Sequence, residues 1–140
     1  MAAFKLPKLE YLDISFNKIE KVNDGWVGHP SLKVFKSIDN KFKNLVPFKA
    51  MPKLEKLFLA NNNIGTLTGC EGLEKLKFLH LRRNKIAKIE EEGLPELPSL
   101  EYLNLRSNQI PDLDNMHRLI EKYYESLRDL NVINCQVELD

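Results

Sequence analysis

Two cysteines in 140 residues, Cys70 and Cys135, are too few for a disulfide framework. No stretch approaches the ~18 consecutive apolar residues of a membrane span. The opening Met1-Ala2-Ala3-Phe4-Lys5 lacks the apolar centre of a signal peptide. Charge of one sign is missing too: 21 Lys and Arg against 20 Asp and Glu leave a net +1. A chain without a global field has no general means of holding nucleic acid or a membrane surface, so any electrostatic recognition must be local. These absences together point to a cytoplasmic protein.

Catalytic chemistry is equally hard to find. The six glycines, Gly25, Gly28, Gly65, Gly69, Gly72 and Gly93, are scattered and build no phosphate-cradling loop. His29, His80 and His117 lie far apart, and no Cys or His pair has zinc-ligand spacing. Glu90-Glu91-Glu92 reads as a solvated turn, His29 as a half-buried structural residue and Cys70 as an inert core thiol. No nucleophile has a recognisable base. The expectation is therefore no catalytic residue, no metal, no cofactor and no small-molecule substrate.

What the chain does have is a repeat. Asn17, Asn40, Asn62, Asn84 and Asn108 follow one another at intervals of 23, 22, 22 and 24 residues. Each sits in the frame L-x-x-L-x-L-x-x-N-x-I-x-x-L, as in Leu54, Leu57, Leu59, Asn62, Ile64 and Leu67. The second copy, with Ser37 in an apolar slot, is the most degenerate. A sixth, Leu127, Leu130 and Val132, places Cys135 where Asn is expected. One such coil cannot bury its own apolar side, but stacked coils merge their columns into a continuous core. The Asn column falls inside the turn, where its amide is expected to satisfy backbone groups of its own and the next coil.

The return segments repeat apolar residues at every third position, for example Phe48, Met51 and Leu54. That spacing predicts 3-10 or short helical turns. Pro7, Pro30, Pro52 and Pro98 each precede the first Leu of a copy by two residues, suiting the end of such a turn. Between copies five and six, Met116, Leu119, Ile120, Tyr123, Tyr124 and Leu127 recur at helical spacing and predict a true amphipathic helix.

From Leu6 to about Val137 this frame resembles the intracellular leucine-rich-repeat family with 22-residue repeats. The resemblance implies an α/β right-handed solenoid, with parallel strands on the concave face and 3-10 or short helical turns on the convex face. Members of this class include regulators of protein phosphatase 1, axonemal dynein light chains and a nuclear splicing-type scaffold. The runs Leu79-His80-Leu81-Arg82-Arg83-Asn84-Lys85-Ile86 and Ser99 to Asn108 resemble leucine-rich-repeat components of ciliary radial spokes. The implied role is a scaffold that binds other proteins, in the cytoplasm or a ciliary axoneme, with a phosphatase or dynein regulator as the alternative. Residues 1–140 then form one domain of about six repeats. With no capping segment over the end columns at Leu6, Leu9, Val132 and Val137, it is expected to be a piece of a longer solenoid, the alternative being neighbouring subunits that cover both ends.

In this frame the residues flanking the second Leu point away from the core. The middle of that face is aromatic and basic, the composition protein interfaces favour at their energetic centres. Tyr11, Lys36, Lys56, Phe58, Phe78, His80, Arg82, Arg83, Tyr102 and Arg106 are the candidate protein-binding residues. The helix around Tyr123 is the second candidate surface.

Overall fold

A computed structural model describes residues 6–135. Six short strands, β1 (Tyr11–Asp13), β2 (Val34–Lys36), β3 (Lys56–Phe58), β4 (Phe78–His80), β5 (Tyr102–Asn104) and β6 (Asp129–Asn131), lie in one parallel sheet in sequence order. Their register joins equivalent positions of successive coils, so Leu12, Phe35, Leu57, Leu79, Leu103 and Leu130 form one column. The middle residue of each triplet faces inward because strand side chains alternate, which turns its two neighbours outward. Val137, placed in an end column by the sequence, lies outside the described residues.

The core is densest in the central coils. Leu54, Leu57, Leu59, Leu76, Leu81 and Leu105 are fully buried, whereas Leu9, Leu12 and Ile14 at one end and Leu127, Leu130 and Val132 at the other are only half-buried. The degenerate second copy compensates with aromatic volume. Trp26, Phe35, Phe48 and Phe42 form a chain of edge-to-face pairs, with centroids 6.2, 5.4 and 5.0 Å apart in that order. Ser37, buried in its apolar slot, accepts from Asn40 Nδ2 at 3.0 Å.

The ladder asparagines reach backwards. Asn62 Oδ1 accepts from Phe42 N–H at 3.1 Å, and its Nδ2 donates to Ser37 O at 2.8 Å and Leu59 O at 3.1 Å. Asn84 and Asn108 repeat the pattern, each bonding its own coil and the preceding one. Asn40 does likewise, accepting from Asn17 and Ile19. The expectation that these amides serve the following coil is thus corrected in direction. Asn17, exposed, donates only within its own coil, to Ile14 O and Ser15 O. Cys135 occupies the same slot with a single bond, Sγ to Leu105 O at 2.9 Å.

The convex side carries less helix than the spacing predicts. Among the described residues one return segment, Val46–Phe48, closes a 3-10 helix. Others turn on single bonds three residues apart, such as Leu54 N to Met51 O and Leu100 N to Leu97 O. Pro52 and Pro98 sit at the second position of those turns, where a fixed φ is an advantage, rather than at their ends. A spacing of three secures one turn per coil and nothing longer. The predicted helix is present as α1 (Leu113–Tyr123), capped by Asp112, whose carboxylate accepts from Asn115 N at 2.9 Å.

Candidate protein-binding face

The outward positions of the six triplets make one concave surface. From one edge they read Tyr11, Val34, Lys56, Phe78, Tyr102 and Asp129, and alongside run Asp13, Lys36, Phe58, His80, Asn104 and Asn131. Strands lie roughly 5 Å apart, close enough for large side chains on adjacent coils to touch. Phe58 and Phe78 rings are 5.2 Å apart, Phe78 and Tyr102 5.9 Å. His80 stands edge-on to Phe58 at 6.0 Å and to Phe78 at 6.1 Å. Lys36 Nζ lies 5.2 Å from the Phe58 centroid and 5.5 Å from that of Tyr11, within cation–π range of both.

A continuous row therefore runs Tyr11, Lys36, Phe58, Phe78 and His80, then Tyr102, across five coils. Its centre is half-buried by mutual packing, while Tyr11 at 51% and Tyr102 at 39% remain open to solvent. Burial, and then the Arg82 charge, hold the His80 pKa below its ordinary value of 6.5, so the ring is neutral at pH 7 and joins the aromatic surface. Arg82 and Arg106 occupy the next row, between Ala60 and Ile133. The structure does not bring every sequence candidate into this group. Lys56 is exposed and touches no ring at cation–π distance, and Arg83 lies in the loop with a left-handed φ of 56°.

Two features of the surroundings are not evident from the apolar repeat frame. The first is charge alternation just before each strand: Glu10, Lys33, Glu55, Lys77, Glu101 and Arg128 follow one another on successive coils. Lys33 and Glu10 form an ion pair at 3.3 Å. Aligning the coils first, then reading down each polar column, would have exposed it. The second is how α1 is pinned. Asn115 Oδ1 accepts from Ile89 N at 2.8 Å, and Arg118 Nη1 donates to Ile89 O at 2.8 Å, so two helix side chains satisfy both backbone groups of one residue in the fourth coil. Tyr123 is buried, its hydroxyl donating to Pro95 O at 2.9 Å, and cannot itself be a contact residue. Tyr124, 68% exposed, continues an outer stripe with Leu113, His117 and Ile120.

Both thiols are buried, and the Cys70 pKa is pushed up to about 12, chiefly by that burial. No group of three or more potential metal ligands is gathered among the described residues, and no described helix is long and apolar enough to cross a membrane.

Comparison with known proteins agrees with this architecture. A model of leucine-rich repeats in two copies matches residues 52–96 and 74–116, and a single leucine-rich-repeat model matches residues 5–22. Bovine (Bos taurus) leucine-rich repeat-containing protein 23 is 39% identical over 84 residues, covering 60% of this chain and 22% of that protein. Acidic leucine-rich nuclear phosphoprotein 32 family member A of Drosophila pseudoobscura pseudoobscura is 32% identical over 112 residues, 79% of the chain and 43% of that protein. Lumican of Rattus norvegicus is 33% identical over 108 residues, 75% and 32% respectively. The chain spans less than half the length of each of these relatives. With the six-stranded parallel sheet and the repeat matches in hand, the chain belongs to the leucine-rich-repeat family.

Proposed function

We propose that this chain is a non-catalytic scaffold that holds other proteins on its concave face. The observation that carries the reading is the row of stacked rings and cations from Tyr11 to Tyr102. Large aromatic side chains lined up on an outer surface are costly unless covered, and aromatic and Arg residues dominate binding energy at interfaces. The partner contributes an extended segment with apolar side chains for Phe58, Phe78 and Tyr102 and acidic ones for the flanking cations. Nucleic acid, a membrane and a small-molecule substrate are not part of this proposal, nor is a cofactor.

At finer grain, the runs around Leu79–Ile86 and Ser99–Asn108 support a cytoplasmic part of a ciliary axoneme, packed against radial-spoke subunits. The alternative is a regulatory binder of a phosphatase catalytic subunit or a dynein motor. The outer stripe of α1, Leu113, His117, Ile120 and Tyr124 at spacings of four, three and four, favours a second contact surface on the convex side. The test is comparative affinity capture from ciliated cells with the parent chain and a folded Phe58→Ala/Phe78→Ala variant. Radial-spoke proteins retained only by the parent support both the face and the ciliary role. A phosphatase or dynein subunit in their place moves the role to the alternative, and identical retention by both chains rejects the face.

A further inference from the structure

Arg82 and Arg106 are neighbours on adjacent coils, because the register that pairs His80 with Asn104 places them side by side two residues later. Like-charged side chains that leave the backbone about one strand spacing apart destabilise each other, and an anion bound between them relieves this. Among the described residues neither makes an ion pair, and the Nε of each is shielded from water without a hydrogen-bond partner. Asn104 joins them: its Oδ1 accepts from Arg106 N at 3.0 Å, which leaves Nδ2 without a partner among the described residues. The neutral His80 ring lies on the same coil as Arg82 and feels its charge.

No acid forms an ion pair with this group among the described residues. From β2 to β5 the outward positions are Val34, Lys36, Lys56, Phe58, Phe78, His80, Tyr102 and Asn104. Asp13 and Asp129 stand only on the first and last coils. A site rich in N–H donors, with no carboxylate paired to it among the described residues, is complementary to an oxyanion, and a guanidinium is the preferred receptor for a carboxylate. The aromatic row lies directly beside it.

We infer that Arg82, Arg106, Asn104 and His80 form an oxyanion subsite that fastens a Glu or Asp side chain of the protein segment lying over Phe58, Phe78 and Tyr102. This deepens the scaffold proposal and rests on it. The subsite sets the register of the bound segment, because the carboxylate must fall at one coil junction while the rings tolerate any apolar side chain. A carboxylate is the oxyanion that a partner segment carries without modification.

The experiment uses the 140-residue chain and the capped peptide acetyl-Leu-Phe-Glu-Leu-amide, its Gln counterpart, and inorganic phosphate. NMR signals of the Arg82 and Arg106 Nε–H and the Asn104 side-chain amide report the subsite, and the Phe58 and Phe78 ring signals report the aromatic row. The Glu peptide is expected to move both sets of signals and to bind at least about tenfold tighter than the Gln peptide. Arg82→Gln/Arg106→Gln, with an unchanged melting curve, should erase that difference while the ring signals still respond. Equal binding of the two peptides with moving rings overturns the subsite and leaves the scaffold reading standing. Guanidinium signals that move with phosphate but not with the Glu peptide overturn the assignment to an acidic side chain. No movement at Arg82 or Arg106 with any probe overturns it as well, and still rings in that case count against the scaffold face itself.

Discussion

Asn62 satisfies one backbone N–H and at least two buried carbonyls, joining its coil to the one before it. Replacing it with Ala removes the partners of Phe42 N–H and Ser37 O, while Leu59 O keeps its bond from Asn84 Nδ2. Each buried group left unpaired costs roughly 1–3 kcal/mol, so Asn62→Ala should lower the melting temperature sharply. Asn17→Ala, at an exposed position whose amide bonds only inside its own coil, should lower it far less. Equal melting shifts would contradict the ladder's role. The same logic picks out Cys135. Ile19, Phe42, Ile64 and Ile86 each give their N–H to the Asn of the next coil, but Ile110 faces Cys135 and has no such amide acceptor. Cys135→Asn should therefore stabilise the chain by about 1 kcal/mol, the usual net worth of one hydrogen bond. A denaturant midpoint that falls in this variant would show that the slot is shaped for sulfur.

The return segments set how closely coils stack. Gly28, Ala50 and Gly72, at intervals of 22 residues, all adopt left-handed backbone on the convex side. A Cβ on Gly28 would lie 2.4 Å from Ala50 O and 2.6 Å from Lys49 O, both fixed backbone atoms. Gly28→Ala should cost about 2–4 kcal/mol through clash and backbone strain. At Gly65 a Cβ would meet nothing within 4 Å and φ is not positive, so Gly65→Ala should stabilise by about 0.4–1 kcal/mol. Chemical denaturation of the pair checks the contrast, and two variants of equal stability would refute it. Much of this element plan was legible from the sequence. The Asn and Leu intervals placed all six strands, because each coil repeats one pattern of burial. The left-handed residue before each ladder position was not legible, since Phe16, Asp39, Asn61, Arg83, Ser107 and Asn134 share no chemistry. What they share is position: Phe16 N–H, for instance, donates to Ile38 O of the next coil, and Arg83 N–H to Arg106 O. Helical spacing located α1, yet it could not choose between Tyr123 and Tyr124. That choice was made by Pro95 O, which accepts from the Tyr123 hydroxyl, while Tyr124 turns out to Glu125. The candidate face was legible as a set of outward positions, while the contacts among its rings depended on strand register and rotamers.

For the whole molecule, pH acts through two histidines on different coils. His29 and His80 both have pKa values held below 6.5, in each case chiefly by burial. The unfolded chain therefore binds more protons than the folded one as pH falls through 6.5 and toward the depressed values, so stability decreases across that window and is unaffected above it. Melting temperatures between pH 7.5 and 5 should fall, and those of His80→Gln should fall less steeply than the parent's. Parallel curves would remove His80 from the account. Binding is the other property of the assembled coils, because no single repeat carries more than two members of the aromatic row. The most direct measurement is a calorimetric titration of a partner obtained by comparative capture against the parent chain and the folded Phe58→Ala/Phe78→Ala variant. One anchor in a shielded centre contributes about 2 kcal/mol or more on truncation, which is about thirtyfold, and the double variant should lose at least that much. Unchanged affinity would contradict the concave face and move the binding surface to the outer stripe of α1.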